Sequence, residues 1–271
     1  MLKQRIITAL ILLPIALCGF FLLDGASFAL FIGVVVTLGA WEWARLAGFS
    51  AQVARVAYAA VIAVSLLIMY VLPDLAPWVL GAAVLWWILA TFLVLTFPQT
   101  SAHWSSAACK LVIGLLILLP AWQGLILIKQ WDLGNWLILS VMVLVWGADI
   151  GAYFSGKAFG KRKLAAKVSP GKSWEGMFGG LIASLVITAV VGAFRGWSGS
   201  QFLFGLLAAA LVVLISVVGD LTESMFKRQS GIKDSSNLLP GHGGVLDRID
   251  SLTAAIPVFA VLLWAANWGV M

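Results

Sequence analysis

Asp220 and Glu223 stand three residues apart, and so do Asp247 and Asp250. Residues three apart on a helix share a face, so each pair would present two carboxylates in one direction. Apolar runs precede the first pair (202–218) and follow the second (251–268), so two helices joined by a loop would converge four carboxylates. Oxygen-rich groups of this kind suit a hard divalent ion, Mg2+ or Mn2+, which commonly shares its coordination with substrate phosphates. Asp149, in VWGADIGAYFSG, is a fifth acid available to the same site. Taken singly, an aspartate at a helix end is a cap or half of an ion pair, and Lys227 and Arg248 are at hand to pair Glu223 and Asp250. Asp220 and Asp247 together, bordered by so much apolar sequence, are the stronger candidates for chemistry.

Phosphate-binding groups surround these acids. Lys227 and Arg228 lie one to two turns beyond Asp220, and Gly241-His242-Gly243-Gly244 leads into the second pair. Glycines let backbone N–H groups approach an anion, and a helix start adds a favourable dipole. His242 can bind a phosphate, donate to a leaving group or simply hold its loop. A second polar segment, 156–175, adds Lys167, Ser169, Lys172 and Ser173. SPGKS invites comparison with a P-loop, but Ala166 stands where the first glycine belongs and no strand is expected before it. Lys172 and Ser173 are thus phosphate contacts without P-loop geometry. Lys157, Lys161, Arg162 and Lys163 fit membrane orientation and attraction to anionic headgroups, worth about 1 kcal/mol per basic residue near the surface. Metal-binding acids, clustered cations and bilayer-facing helices point to phosphoryl or nucleotidyl transfer to a phosphorylated lipid.

The elements that must position these groups are membrane helices. The 271 residues are 62% hydrophobic and 10% charged, with a mean hydropathy of +1.06, which leaves too little polar surface for a soluble domain. Repeated apolar runs match the roughly 20 helical residues that a bilayer crossing needs. The expected fold is an all-α polytopic membrane protein with about nine transmembrane helices, at 5–23, 27–45, 52–72, 76–97, 108–128, 135–155, 176–194, 202–219 and 251–268. The first run is read as a span and not a cleavable signal peptide. Residues 1–130 form an N-terminal group of about five helices. Residues 131–271 form the catalytic region, with cytoplasmic loops 156–175 and 220–250. With the N-terminus inside, Lys3, Arg5, Arg45, Arg55, Lys110 and the ten basic residues of the two loops lie in the cytoplasm, and of the 17 only Lys129 and Arg195 lie outside. That is the positive-inside pattern, and it puts the C-terminus outside. Trp78, Trp131, Trp136, Trp197 and Trp268 would mark the outer boundary; Trp41, Trp43 and Trp174 the inner one. Cys18 and Cys109 sit in apolar surroundings and suggest packing. The net charge of +6 is accounted for by this placement and gives no indication of nucleic acid.

The segment SMFKRQSGIKDSSNLLPGHGGVLDRID, from Ser224, closely resembles the signature of the phosphatidate cytidylyltransferases, or CDP-diacylglycerol synthases. That pattern runs S-x-x-K-R, four residues, K-D, then H-G-G, two residues and D-R-x-D. Here Ser224, Lys227, Arg228, Lys233, Asp234, His242, Gly243, Gly244, Asp247, Arg248 and Asp250 fill its places. GDLTES, the WGADIGAYFSGKAFG around Asp149 and KVSPGKSWEG of 167–176 are also similar to the bacterial members. Ser173 departs from the threonine of many relatives, and either hydroxyl can make the same contact. The resemblance implies condensation of CTP with phosphatidic acid to CDP-diacylglycerol and pyrophosphate, with Mg2+, at the cytoplasmic face of a bacterial inner membrane. It implies a homodimer whose site opens to the bilayer. It also implies metal ligation by Asp220 and Asp247, with a second cation either divalent or monovalent, and substrate contacts from the signature's Lys233, Asp234, Gly243, Gly244 and Arg248.

Three rivals remain at this stage. A CDP-alcohol phosphotransferase would show D-G-x-x-A-R before a pair of aspartates, and no such motif precedes Asp247. A CTP-dependent lipid kinase uses similar groups but would release CDP and no pyrophosphate. A transporter would need several charges deep within spans, whereas these cluster at helix ends.

Overall fold

The computed structural model describes residues 2–268; the side chains of Lys3 and Arg5 lie outside the described residues. Ten helices follow one another: α1 (Leu2–Phe21), α2 (Gly25–Leu46), α3 (Gln52–Val71), α4 (Ala76–Leu95), α5 (Ser101–Trp104), α6 (Ala107–Lys129), α7 (Gly134–Phe159), α8 (Trp174–Phe194), α9 (Gly199–Gln229) and α10 (Leu246–Ala265). A helix satisfies each backbone N–H and C=O within itself, which is what a segment surrounded by hydrocarbon requires. Eight of these helices, α2–α4 and α6–α10, are long and apolar enough to cross a membrane. In α1 the apolar part is shorter, Leu10–Phe21.

α6 and α10 are the central helices: 67% and 61% of their most apolar stretches are buried, against 22% for α8. Around them runs one continuous core drawing on both halves of the chain, from Phe28 and Trp43 to Ile256 and Leu263. Small residues set the closest approaches. A Cβ on Gly180 of α8 would fall 2.5 Å from the Ala148 carbonyl oxygen of α7, and one on Gly219 of α9 would fall 2.7 Å from the Asp250 carbonyl oxygen of α10. Glycine at 219 therefore lets the two helices that carry the paired acids touch along their backbones.

α9 differs from expectation by running past residue 219 for another ten residues. The continuation is held by packing. Phe226 is fully buried, its ring 4.8 Å from those of both Trp43 and Trp104. Trp43 in turn donates from Nε1 to the Lys110 carbonyl at 2.7 Å, which makes it a core residue and not an interface marker. The polar 156–175 segment, expected as a loop, contains a small antiparallel hairpin of β1 (Lys163–Ala165) and β2 (Ser169–Ser173). A strand thus does precede Ala166, but SPGKS is the returning strand of the hairpin. Its Ser173 caps α8 by accepting the Gly176 N–H at 3.1 Å. The Glu175 carboxylate accepts the N–H groups of Lys161 and Arg162, which closes the hairpin onto α8.

Candidate active site

The site lies where α9 and α10 meet beyond Gly219. Asp220 and Glu223 share a face of α9, as their spacing requires. Asp220 Oδ2 is 2.7 Å from Lys172 Nζ, and Oδ1 accepts the Ser224 hydroxyl at 3.2 Å. This ion pair ties the hairpin to α9. Arg228 makes a second tie, donating from Nε to the Val168 carbonyl at 3.1 Å. Asp149, exposed on α7, lines with Lys172, Ser173 and Tyr153 a cavity of about 390 Å³ between α7, α8 and α9.

Asp247 has a different environment. Its Oδ1 accepts Lys227 Nζ at 2.7 Å, while Oδ2 accepts the Gly244 N–H at 2.7 Å, the Ser235 hydroxyl at 2.9 Å and the Ser235 N–H at 3.0 Å. These donors fill the acceptor capacity of a carboxylate. Glycine is required beside it: a Cβ on Gly243 (φ +82°) would sit 2.6 Å from Asp247 Oδ2. The N–H of Gly244, expected to face an anionic substrate, is given to Asp247 instead. Glu223 is almost fully buried. Its Oε1 is 3.2 Å from Lys227 Nζ but lacks hydrogen-bond geometry, so the contact is one of charge, and Oε2 has no partner among the described residues. Asp250 sits one turn into α10 and accepts the Ser251 N–H at 2.7 Å.

The remaining candidates are spread around this site and its loops. Lys167, Lys233, Asp234 and Arg248 are exposed, and Ser169 is half-buried in β2. His242 turns on a backbone bond from its N–H to the Leu239 carbonyl, 2.8 Å long, and its buried Nδ1 has no partner among the described residues. The structure thus brings Asp220, Lys172 and Ser224 together as one group, and Glu223, Lys227 and Asp247 as another. It leaves Lys167, Lys233 and Arg248 without side-chain polar contacts among the described residues.

Sequence reasoning missed the group beneath the loop. Glu42 of α2 is fully buried and accepts the Leu246 N–H at 2.6 Å, the Val245 N–H at 3.0 Å, the Ser235 hydroxyl at 3.1 Å and the Ser236 hydroxyl. Arg45 donates to the Ser235 carbonyl at 3.1 Å, and Ser230 to the Leu46 carbonyl at 2.7 Å. The available signal was a single glutamate inside an apolar span, AWEWARL, which by default marks function.

Among the described residues no three His, Cys, Asp or Glu side chains form a ready-made metal cage. The donor chemistry nevertheless fits a hard cation at Asp220 and Glu223. An ammonium already lies against Asp220, and the buried Glu223 carboxylate has oxygen acceptors to spare.

The chain matches the model of the cytidylyltransferase family over residues 3–266. It is 74% identical over 269 residues to a phosphatidate cytidylyltransferase of Pseudomonas aeruginosa, covering 99% of both chains. A phosphatidate cytidylyltransferase of Haemophilus influenzae is 44% identical over 281 residues, with 96% of this chain and 98% of that one covered. The namesake enzyme of Staphylococcus haemolyticus is 44% identical over 126 residues, about half of each chain (46% and 48%). On the family match and on likeness that runs from end to end, this chain belongs to the phosphatidate cytidylyltransferase family.

Proposed function

We infer that the chain transfers CMP from CTP to phosphatidic acid, giving CDP-diacylglycerol and pyrophosphate for phospholipid synthesis. The observation that carries this reading is the near full-length identity to enzymes of that name. The pairing of Asp220 with Lys172 and of Asp247 with Lys227 near the crossing of α9 and α10 agrees with it. In the reaction a phosphate oxygen of phosphatidic acid bonds to the α-phosphorus of CTP. The bond from that phosphorus to the β-phosphate's bridging oxygen breaks, and pyrophosphate leaves from the opposite side. The attacking oxygen is already anionic near neutral pH, so no strong general base is needed. The demand on the protein is to hold two anions in line and neutralise them.

Lys172, Lys227 and Arg228 would share the triphosphate and the lipid phosphate. Each now rests on an acceptor of this chain, namely Asp220, Asp247 and the Val168 carbonyl. Substrate phosphates would draw these cations off those acceptors, and until then the two ion pairs and the Arg228 hydrogen bond keep them aimed. Asp220 would hold Mg2+, with Glu223 beside it, and Asp247 would join once Lys227 has left its Oδ1 for a phosphate; a second cation, divalent or monovalent, would complete the set. Bound there, Mg2+ supplies further charge neutralisation for the reacting phosphates. Asp149 would border the lipid's entry through the cavity that it lines. His242, with a free buried nitrogen, would meet a phosphate or the leaving group. Lys167, Ser169, Ser173, Lys233, Asp234, Gly243, Asp250 and Arg248 would complete the substrate surface, with the Gly244 N–H holding Asp247 in place.

The membrane arrangement we propose counts α1 as a ninth crossing. The N-terminus and the site would then face the cytoplasm of a bacterial inner membrane, with the C-terminus outside. Residues 131–271 would supply the reacting groups and residues 1–130 their support, in a homodimer carried over from the family likeness. Purified protein given CTP, phosphatidic acid and Mg2+ should release pyrophosphate and form liponucleotide in equal amounts, and only with both substrates. Asp220→Asn should lower that rate at least ~100-fold. Absence of product with wild-type protein would reject the reading.

A further inference from the structure

Glu42 has no cationic partner among the described residues, yet it is fully buried. A buried carboxylate is tolerated when hydrogen bonds replace its water. Four such donors face Glu42, the Ser235 hydroxyl being shared with Asp247, and they come from both ends of one loop. Ser235 and Ser236 stand where the loop begins; the N–H groups of Val245 and Leu246 stand where it ends at the start of α10. The eight residues between, 237–244, include His242 and the glycines beside Asp247. Only a carboxylate accepts four hydrogen bonds on two oxygens; glutamine offers one oxygen and a donor. Glycine at 244 is needed for the same reason, since a Cβ there would lie 2.0 Å from Ser235 Oγ and 2.5 Å from Glu42 Oε1.

The link to the chemistry is Ser235. Its hydroxyl lies 3.1 Å from Glu42 Oε2 and 2.9 Å from Asp247 Oδ2; its one proton serves one carboxylate at a time, and when it is given to Glu42 the Ser235 N–H, 3.0 Å from Oδ2, still donates to Asp247. The chain of contacts runs Glu42, Ser235, Asp247, Lys227, and crosses from α2 through the loop to α10 and α9. We propose that Glu42 is a positioning residue for the transfer reaction: through Ser235 it fixes the rotamer of Asp247, and with it the direction of Lys227. This rests on the functional reading above, in which Asp247 and Lys227 face the reacting phosphates.

The test uses full-length protein purified in detergent, as wild type, Glu42→Gln, Ser235→Ala, the double variant and Asp247→Asn as a control. For Glu42→Gln the rate per folded molecule should fall at least ~tenfold, a barrier change of about 1.4 kcal/mol. Both the KM for CTP and the Mg2+ concentration at half-maximal rate should rise at least threefold, which a mere loss of folded enzyme cannot cause. Ser235→Ala should move all three in the same direction, and the double variant should be no worse than Glu42→Gln alone. Hydrogen exchange should quicken in peptides spanning 235–247 and stay unchanged in α3 and α6. If Glu42→Gln does not fold, Ser235→Ala decides the matter alone. Unaltered KM and Mg2+ dependence in an enzyme that Asp247→Asn does disable would overturn the positioning role only. Wild-type protein without transferase activity would remove both it and the functional reading.

Discussion

Replacing the two candidate metal-binding aspartates should disable the enzyme in two different ways. The Asp247 side chain is 4% exposed, and Lys227, Gly244 and Ser235 all donate to it. Asparagine would keep one acceptor oxygen and turn an N–H2 group toward Lys227 or toward the Gly244 N–H. Breaking a buried, hydrogen-bonded charge pair costs about 3–5 kcal/mol. At roughly 2–4 °C per kcal/mol for a chain of this size, the thermal midpoint of Asp247→Asn should fall by about 6 °C or more. Asp220 and Lys172 are 28% and 27% exposed, and pairs so open to water contribute about 0–1 kcal/mol. Asp220→Asn should therefore lower the midpoint by no more than about 4 °C. Turnover should fall at least ~100-fold in both, the loss expected for one preorganised electrostatic contact of about 2.7 kcal/mol or more. If both acids serve one centre, the double variant should lose little beyond the worse single one. Melting curves and Mg2+-dependent turnover on the same preparations settle it. Equal midpoints for the two variants, or near-normal turnover in Asp220→Asn, would refute the reasoning.

Gly219→Val would force a side chain against the Asp250 carbonyl and Ala254, at 2.7 and 2.9 Å from the Cβ position, and should destabilise by about 1–3 kcal/mol while cutting turnover at least tenfold; unchanged turnover would show that the α9–α10 spacing is not critical. Lys172→Ala should cost at least ~100-fold in rate, whereas Lys161, Arg162 or Lys163 changed singly to alanine should cost less than about tenfold in detergent, about 1.4 kcal/mol; a hundredfold loss at any of those three, in protein that inserts normally, would overturn the division. A cysteine placed at Ala166, exposed between the two strands, should be labelled by a membrane-impermeant thiol reagent only after the inner face is opened; labelling from the periplasmic side would reverse the topology.

Most helices of the bundle were legible because the bilayer imposes length and hydropathy on each crossing, and the observed helices start and stop within a few residues of the apolar runs. The end of α9 was not, because Asp220 to Gln229 is polar and its helicity depends on Phe226 docking between Trp43 and Trp104, a long-range contact. The hairpin was not legible either. Its strands are three and five residues long, and β2 reads SPGKS, a composition typical of turns. At the site, the spacing of three puts Asp220 and Glu223 on one face of α9. Spacing alone gives no information about partners. That Asp247 is saturated while Asp220 is open, and that Glu42 supports the loop from nearly 200 residues away, depends on packing across the fold.

Label position reads directly which phosphorus of CTP is attacked. Wild-type protein with phosphatidic acid and Mg2+ would be given CTP carrying 32P at the α position in one reaction and at the γ position in another. Attack at the α-phosphorus places the α label in the lipid and the γ label in pyrophosphate. Label from the γ position in the lipid, with CDP released, would identify a lipid kinase and contradict the account.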